Sequence, residues 1–429
     1  MERVLIVGVN ITSSKKSRSE FELAMEEMAN LAAACEMETV GRIEQNMEFP
    51  NTATYIGAGK VEEVKEMRLA LEADIVIFDN GLSPIQLRNL QRELDCPVMD
   101  RTTLILEIFS SRAKTREAKL QVEVARLQYM LPRLVGLHEA LSRQGGGSGA
   151  MSNKGSGEKK LELDRRRLEQ RLTSMKRELE IISGERITQR KKRAESGIPR
   201  VALVGYTNAG KSTIMNMLLS AYVEDEEKQV LEKDMLFATL DTTVRRIAPP
   251  DRNAFLLSDT VGFISNLPHS LVKAFRSTLE EVREADLLIQ VIDYSDENHM
   301  EHMKVTGDTL KELGADTIPM IYVFNKADLC GMGSFATVKG DDKIYMSAKS
   351  QNGMDALLTL IAGKLSGGYT ECEMLIPYTR GDIVSYLKDN AVVHEIEYKE
   401  NGVFLTGSIS LKDAGKYKEY VTVQRQAKY

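Results

Sequence analysis

The chain has 429 residues, 42% of them hydrophobic and 28% charged, enough apolar material for roughly two to four ordinary cores, which excludes a disordered or fibrous protein. Its 4 cysteines stand far apart with no C-x-x-C pair and no apolar run reaches span length, which excludes a disulfide framework, a zinc ribbon and an integral membrane protein; a soluble cytoplasmic chain with free thiols is expected. The formal charge is −6, yet residues 101–200 hold 23 Lys and Arg against 12 Asp and Glu while the remainder holds 34 against 51, so one basic segment sits in an acidic chain.

Residues 1–104 alternate strand-like runs (Val4 to Val9, Val40 to Glu44, Asp74 to Phe78, Pro97 to Met99) with helical patterns, which predicts an α/β domain. The apolar run at Met1 to Val9 is too short for a secretory signal. Ser83-Pro84 reads as N-cap and first helical residue, leading into Gln86 to Leu94. Gly57-Ala-Gly59-Lys60 lacks phosphate-loop spacing and reads as a tight turn into a helix from Val61 to Glu72.

Residues 105–197 are predicted as a helical hairpin. Helical periodicity runs from Leu104 to Arg143, with Leu120, Val124, Leu127, Leu131 and Leu134 on one seam, and returns at Leu161, Leu168, Leu172, Met175, Leu179 and Ile182. Two such helices flanking a loop fold back antiparallel most simply, with Pro132 expected to kink the first. The glycine-rich stretch from Gln144 to Gly157 is expected to be irregular. It reads either as a flexible linker or, with Arg143, Lys154, Lys159, Lys160, Arg165, Arg166 and Arg167 around it, as a tip that orders against RNA phosphates.

Residues 198–368 carry the chemistry. Val201 to Val204 is an apolar run leading into Gly205-Tyr206-Thr207-Asn208-Ala209-Gly210-Lys211-Ser212, the G-x-x-x-x-G-K-S pattern of strand, phosphate loop and helix, with Thr213 in the first turn. Loop amides converge on phosphate oxygens, Lys211 adds a fixed charge and the Ser212 hydroxyl suits Mg²⁺. Asp259-Thr260-Val261-Gly262 follows another apolar run; Asp259 is expected to hold Mg²⁺ through water and the Gly262 amide to meet the γ-phosphate. Asn325-Lys326-Ala-Asp328 and Ser347-Ala348-Lys349 follow two more. Asp328 accepts from guanine N1–H and its amine, a pattern adenine lacks, while Asn325 and Lys326 brace the loop; leaving that carboxylate unpaired rejects the wrong base by about 10⁴ or more. The nucleotide is therefore GTP.

The first switch, Phe237-Ala-Thr239-Leu-Asp-Thr242-Thr243, offers three threonines for Mg²⁺, and Thr239 is preferred. The predicted catalytic set is Lys211, Thr239 and Gly262; the predicted metal ligands are Ser212, Thr239 and Asp259. Many GTPases place a water-orienting glutamine after Asp-x-x-Gly, whereas this chain has Phe263, which packs or not but cannot orient water. Hydrolysis is expected to be slow alone and completed by a partner or a cation. Asn208 is a candidate K⁺ ligand or a turn residue. Residues 369–429 read as a small α+β domain with strands at Met374 to Pro377, Val392 to Tyr398 and Val403 to Ile409, a helix near Asp382 to Asn390, and no catalytic constellation.

Nearly the whole chain resembles the HflX family, ribosome-associated GTPases of the Obg-HflX group. The marks are Thr54-Tyr-Ile-Gly-Ala-Gly-Lys-Val-Glu-Glu-Val, Asp100-Arg-Thr, Leu120-Gln-Val-Glu, Leu127-x-Tyr129-x-Leu-Pro-Arg133-Leu, Gly145-Gly-Gly, Glu162-x-Asp164-Arg-Arg-Arg, Leu236-Phe-Ala-Thr-Leu-Asp and Asp259-Thr-Val-Gly-Phe-Ile, together with the phosphate loop. The resemblance implies an N-terminal domain with a helical hairpin, a G domain and a small C-terminal domain. It also implies GTP-dependent binding to the large ribosomal subunit, separation or rescue of ribosomes, and ribosome-stimulated hydrolysis; the chain itself is expected to be monomeric. The chain departs from the family at Ala150 to Glu158, where the usual arginine and proline of the glycine-rich loop are missing, and at Thr242, where proline is usual. Two other functions fit the residues: a GTPase of ribosome assembly or RNA maturation, and a protein-binding GTP switch that uses the hairpin as a docking arm without RNA.

Overall fold

The computed structural model describes residues 1–13, 18–144, 154–195, 198–222, 243–250, 252–260, 262–265, 281–331, 336–365 and 369–426. The architecture is mixed α/β, and the chain divides into two compact units, one of Met1–Gly184 with the short segments Met235–Leu240 and Ser265–Arg276, the other of the remaining residues. Among the described residues no helix is long and apolar enough to cross a membrane.

The first unit opens with a parallel sheet in the order β2-β1-β3-β4: β1 (Glu2–Ile11), β2 (Met37–Met47), β3 (Ile75–Phe78) and β4 (Val98–Asp100). Val4 to Val7 are fully buried, as an interior strand covered on both faces must be. Helices α1 (Arg18–Ala34), α2 (Ala58–Ala70) and α3 (Pro84–Leu94) connect the strands. Gly8 lets α1 close on β1, since a Cβ there would stand 2.1 Å from the Met25 sulfur. The helix α3 starts through a capping box, with Gln86 N–H donating to Ser83 Oγ at 3.3 Å and Ser83 N–H to Gln86 Oε1 at 2.9 Å.

The single helix expected from Leu104 is two. Helix α4 (Arg101–Arg112) starts on an Asp100 cap and ends where Ala113 turns extended, and α5 (Arg116–Gln144) restarts after Thr115, whose hydroxyl accepts from Ala118 N–H at 3.1 Å. Periodicity survives this break because the two apolar stripes stay in step. Helix α5 continues through Pro132, and α6 (Lys154–Glu195) begins within the stretch expected to be irregular. Gly155 and Gly157 fall in its first turn, where the amides have no intrahelical partner to lose. Arg116 meets Glu178 at 2.5 Å and Glu123 meets Arg171 at 3.2 Å, so residue numbers rise along one helix as they fall along the other: the pair is antiparallel.

A buried ion cluster closes this unit. The Arg101 guanidinium, 2% exposed, bonds Glu27 and, at 2.5 Å, Asp79, which are 6% and 8% exposed. Ser265 is held on the same groups: its N–H donates to Glu27 Oε1 at 3.2 Å, its carbonyl accepts from Arg101 at 3.0 Å, and its hydroxyl bonds both side chains. Arg101→Met leaves two buried carboxylates without their cation, and the expected loss is about 3 to 5 kcal/mol. Chemical unfolding of the variant measures it, and a loss under about 1 kcal/mol would contradict the cluster's structural weight.

The second unit holds a seven-stranded sheet ordered β10-β11-β9-β8-β5-β7-β6. Its strands are β5 (Arg200–Gly205), β6 (Thr243–Ile247), β7 (Phe255–Asp259), β8 (Leu287–Asp293), β9 (Met320–Asn325), β10 (Thr337–Lys339) and β11 (Lys343–Tyr345). Only β6 and β10, at the edges, run antiparallel to their neighbours. Helices α7 (Lys211–Tyr222), α8 (His299–Leu313) and α9 (Met354–Leu365) accompany it. The last segment folds as β12 (Tyr369–Ile376), α10 (Gly381–Asn390), β13 (Val392–Lys399), β14 (Gly402–Ser410), α11 (Leu411–Lys416) and β15 (Val421–Gln426), with antiparallel sheet order β13-β14-β12-β15. This is a β-α-β-β-α-β arrangement of the ferredoxin-like type. Two strands here differ from the sequence expectation: β15 has no counterpart in it, and β12 begins five residues earlier.

Candidate functional site: a phosphate loop and a base pocket

The strand ends at one edge of the seven-stranded sheet carry the four nucleotide motifs. At the end of β5, Gly205 has φ +142°, and a Cβ there would stand 2.2 Å from the Val291 carbonyl oxygen, so only glycine lets the loop leave the strand beside β8. Asn208 is left-handed at φ 61° and exposed, which suits a turn residue. Gly210 has φ +96°, with the Asn325 amide 2.1 Å from where its Cβ would be.

Close packing there has a purpose. Asn325 donates to the Ala209 carbonyl at 3.0 Å and accepts from the Ala348 N–H at 3.0 Å, so one amide ties the phosphate loop to the loop after β11. Lys326 is left-handed at φ 61°, and its ammonium meets Asp293 at 2.6 Å at the end of β8. Asp328 then stands exposed on a short 3₁₀ turn, Ala327–Cys330. An open cavity of ≈ 570 Å³ lies between, lined by Asn208, Thr213, Lys326, Asp328, Ala348 and Lys349 among others. Ser347 is buried and its hydroxyl accepts from Ser350 N–H at 3.4 Å, which shapes the turn rather than reaching into the cavity.

Lys211 is 6% exposed and donates to the carbonyls of Gly205 at 3.1 Å and Tyr206 at 2.7 Å. Burial pushes its pKa down to about 8 against the opposing pull of the Asp259 carboxylate. The Ser212 hydroxyl donates to Asp259 Oδ2 at 2.7 Å, and Asp259 is fully buried. Two hard oxygen donors side by side at the loop's helix end match what Mg²⁺ takes. Thr260 is spoken for structurally, its hydroxyl bonding the Leu203 carbonyl at 2.6 Å.

The segment of Gly262 to Ile264 that follows Asp259, the second switch, lies directly on the loop. Phe263 N–H donates to the Gly205 carbonyl at 3.1 Å, and Thr207 N–H donates to the Phe263 carbonyl at 2.9 Å, a two-bond parallel bridge. A Cβ on Gly262 would meet Thr207 Cα at 2.8 Å and the Lys211 nitrogen at 2.9 Å, so glycine is required for this approach. Phe263 and Ile264 are 4% and 3% exposed: Phe263 packs. The Thr207 hydroxyl is buried with no partner among the described residues.

Thr239 and Val261 lie outside the described residues, as do the side chains of Arg143, Lys154, Lys159 and Lys160. Of the arginine run, Arg165 pairs with Glu169 at 2.9 Å and Arg167 with Asp164 at 3.7 Å, while Arg166 is exposed. Sequence reasoning passed over three groups that matter locally: Asp293 beneath Lys326, the Glu27–Arg101–Asp79 cluster, and His302, whose ring stacks on Tyr206. Asp293 had one signal, an acidic residue ending a mostly apolar buried strand.

Four family models match the chain in order: GTP-binding GTPase N-terminal over 22–110, GTP-binding GTPase Middle Region over 112–193, 50S ribosome-binding GTPase over 200–326 and HflX C-terminal domain over 336–421. The GTPase HflX of Alkalihalophilus pseudofirmus is 42% identical over 401 residues, covering 94% of this chain and 92% of that one. The GTPase HflX of Escherichia coli (strain K12) is 36% identical over 405 residues, covering 94% and 92%. A GTP-binding protein from the hyperthermophilic archaeon Sulfolobus solfataricus, solved in complex with GDP, shares 26% identity, covers 86% of this chain and 99% of that one, and superposes with a TM-score of 0.43.

Proposed function

The chain belongs to the HflX family of GTPases and hydrolyses GTP, and from that premise we propose that it binds the large ribosomal subunit in its GTP state and separates or rescues ribosomes in the cytoplasm. The observation that carries this reading is Phe263. It stands where a water-orienting side chain is needed, it is buried, and it is hydrogen-bonded to the phosphate loop through its backbone. A GTPase so built keeps its nucleotide until something external completes the site, which is the behaviour of a factor that must hold GTP until it docks.

In this reading the loop amides and Lys211 bind the β- and γ-phosphates, and Asp328 selects guanine. The Gly262 amide meets the γ-phosphate from a segment that the Phe263 bridge holds against the loop. Ser212, Asp259 and Thr239 would hold Mg²⁺, which, when bound, neutralises charge developing on the transferred phosphoryl group. Asn208 would hold K⁺ near the same phosphates. The basic hairpin is the RNA-facing element, with its tip departing from the family's usual loop.

Sedimentation with purified large subunits tests the binding claim. Co-migration is expected with a non-hydrolysable GTP analogue and not with GDP; equal partition in both states, or none in either, would overturn it. A salt series on the same assay tests the hairpin. Replacing Arg165, Arg166 and Arg167 by Gln should shrink the slope of log K against log salt by roughly 0.7 to 0.9 for each phosphate that is no longer neutralised. An intact slope in a folded variant would leave these arginines as partners of Glu169 and Asp164 and sink their role at RNA.

A further inference from the structure

The phosphate loop carries a large aromatic as its second residue, and the motif chemistry gives it no task. The Tyr206 ring is 7% exposed and lies flat on the His302 imidazole, with centroids 3.9 Å apart and planes 12° from parallel. His302 sits in the first turns of α8, its side chain 13% exposed, with Nδ1 3.7 Å from Asp296 Oδ2. That helix is itself fixed to the sheet, since the buried Gln290 of β8 donates to the Met303 carbonyl at 3.3 Å. The ring pair therefore joins the loop to a rigid element outside the nucleotide motifs.

Tyr206 is also where the reacting groups converge. Its carbonyl accepts from Lys211 Nζ at 2.7 Å, and its peptide neighbours make both hydrogen bonds of the bridge to Phe263. Its side chain faces α8 while its backbone faces the lysine and the second switch. Rotation about this residue would misdirect the amides that follow and slacken the bridge together.

We propose that His302 is a positioning residue for the GTPase reaction: by stacking on Tyr206 it holds the first half of the phosphate loop, and the Phe263 bridge with it, in register for the phosphates. The inference rests on the loop being the nucleotide site. An aromatic pair of this kind is worth about 2- to 10-fold in an equilibrium constant. Because the loop meets GDP and GTP alike, that factor should appear in affinity for both and in KM, with kcat little changed.

The test compares His302→Leu, which keeps apolar bulk without a flat ring, with His302→Phe, which keeps the ring but has no nitrogen for Asp296. A fluorescent GDP analogue reports affinity, and GTP turnover reports KM and kcat. The expected result is affinity weakened about 2- to 10-fold and KM raised to match in His302→Leu, with recovery to within about twofold in His302→Phe. Equal affinity in all three proteins overturns the proposal, and so does weakening in both variants, which would assign the effect to Asp296 instead. If His302→Leu folds poorly, Tyr206→Leu tests the stack from its other side: it should bind about 2- to 10-fold more weakly while His302→Phe binds like wild type, and wild-type affinity in Tyr206→Leu contradicts the stack. Where both leucine variants fold, their losses should not add; additive losses contradict the stack. If Lys211→Ala bound GDP normally, the loop assignment itself would fail, which separates that failure from this one.

Discussion

Lys211→Ala abolishes tight GTP binding and hydrolysis while the protein stays folded. The lysine is buried beneath the loop with its ammonium on the carbonyls of Gly205 and Tyr206, within reach of the Asp259 carboxylate's field. In the proposed site it is the cation that would meet the β- and γ-phosphates, and alanine replaces it with a methyl group that offers no donor. Truncating one partner of a buried hydrogen-bonded charge pair costs about 2 to 5 kcal/mol, or roughly thirtyfold to several thousandfold in affinity. Truncation also removes a buried charge, so the fold does not suffer. The free lysine's pKa near 8 adds a sign: the charged form falls as pH rises through that value, so nucleotide affinity falls in the same direction. Titration with a fluorescent GDP analogue measures both effects, and near wild-type affinity in Lys211→Ala would remove the loop from the nucleotide site.

Asp328→Asn removes the preference for guanine by about 10² or more. In the proposed site the carboxylate would accept twice, from N1–H and the exocyclic amine, whereas an amide presents one acceptor and one donor to the same edge. Xanthine has a carbonyl where guanine has the amine, so the variant should hydrolyse xanthosine triphosphate better than GTP. The scaffold around position 328 stays put because it hangs on Asn325 and on the Lys326–Asp293 pair rather than on Asp328. Unchanged discrimination among GTP, ATP and xanthosine triphosphate would mean that the base is read elsewhere.

What was legible in the sequence was whatever repeats locally. Continuous apolar runs marked β1, β5 and β9, because parallel strands buried in the sheet have little polar side to show. Each nucleotide motif ends such a run, which is why the motifs stand out in order. The α4–α5 break is visible only as Thr115, a single cap in a continuous stripe, and the start of α6 is hidden by glycines that a first turn tolerates. Side-chain partners distant in sequence leave no trace. Ser265 finds Glu27 across 238 positions and Arg101 across 164, and Tyr206 finds His302 through the stacking of α8 on the sheet. No periodicity encodes such meetings; they exist once the chain is folded.

The buried Phe263 connects this geometry to function, because its backbone holds the second switch against the phosphate loop and its side chain supplies nothing to a water. The decisive experiment is GTP hydrolysis at saturating nucleotide, with and without purified large ribosomal subunits and in KCl against NaCl. Slow turnover alone, a rise of at least about tenfold with the subunits, and a faster rate in K⁺ than in Na⁺ are expected. Rapid turnover by the isolated protein that large subunits leave unchanged would contradict a site that waits for its partner.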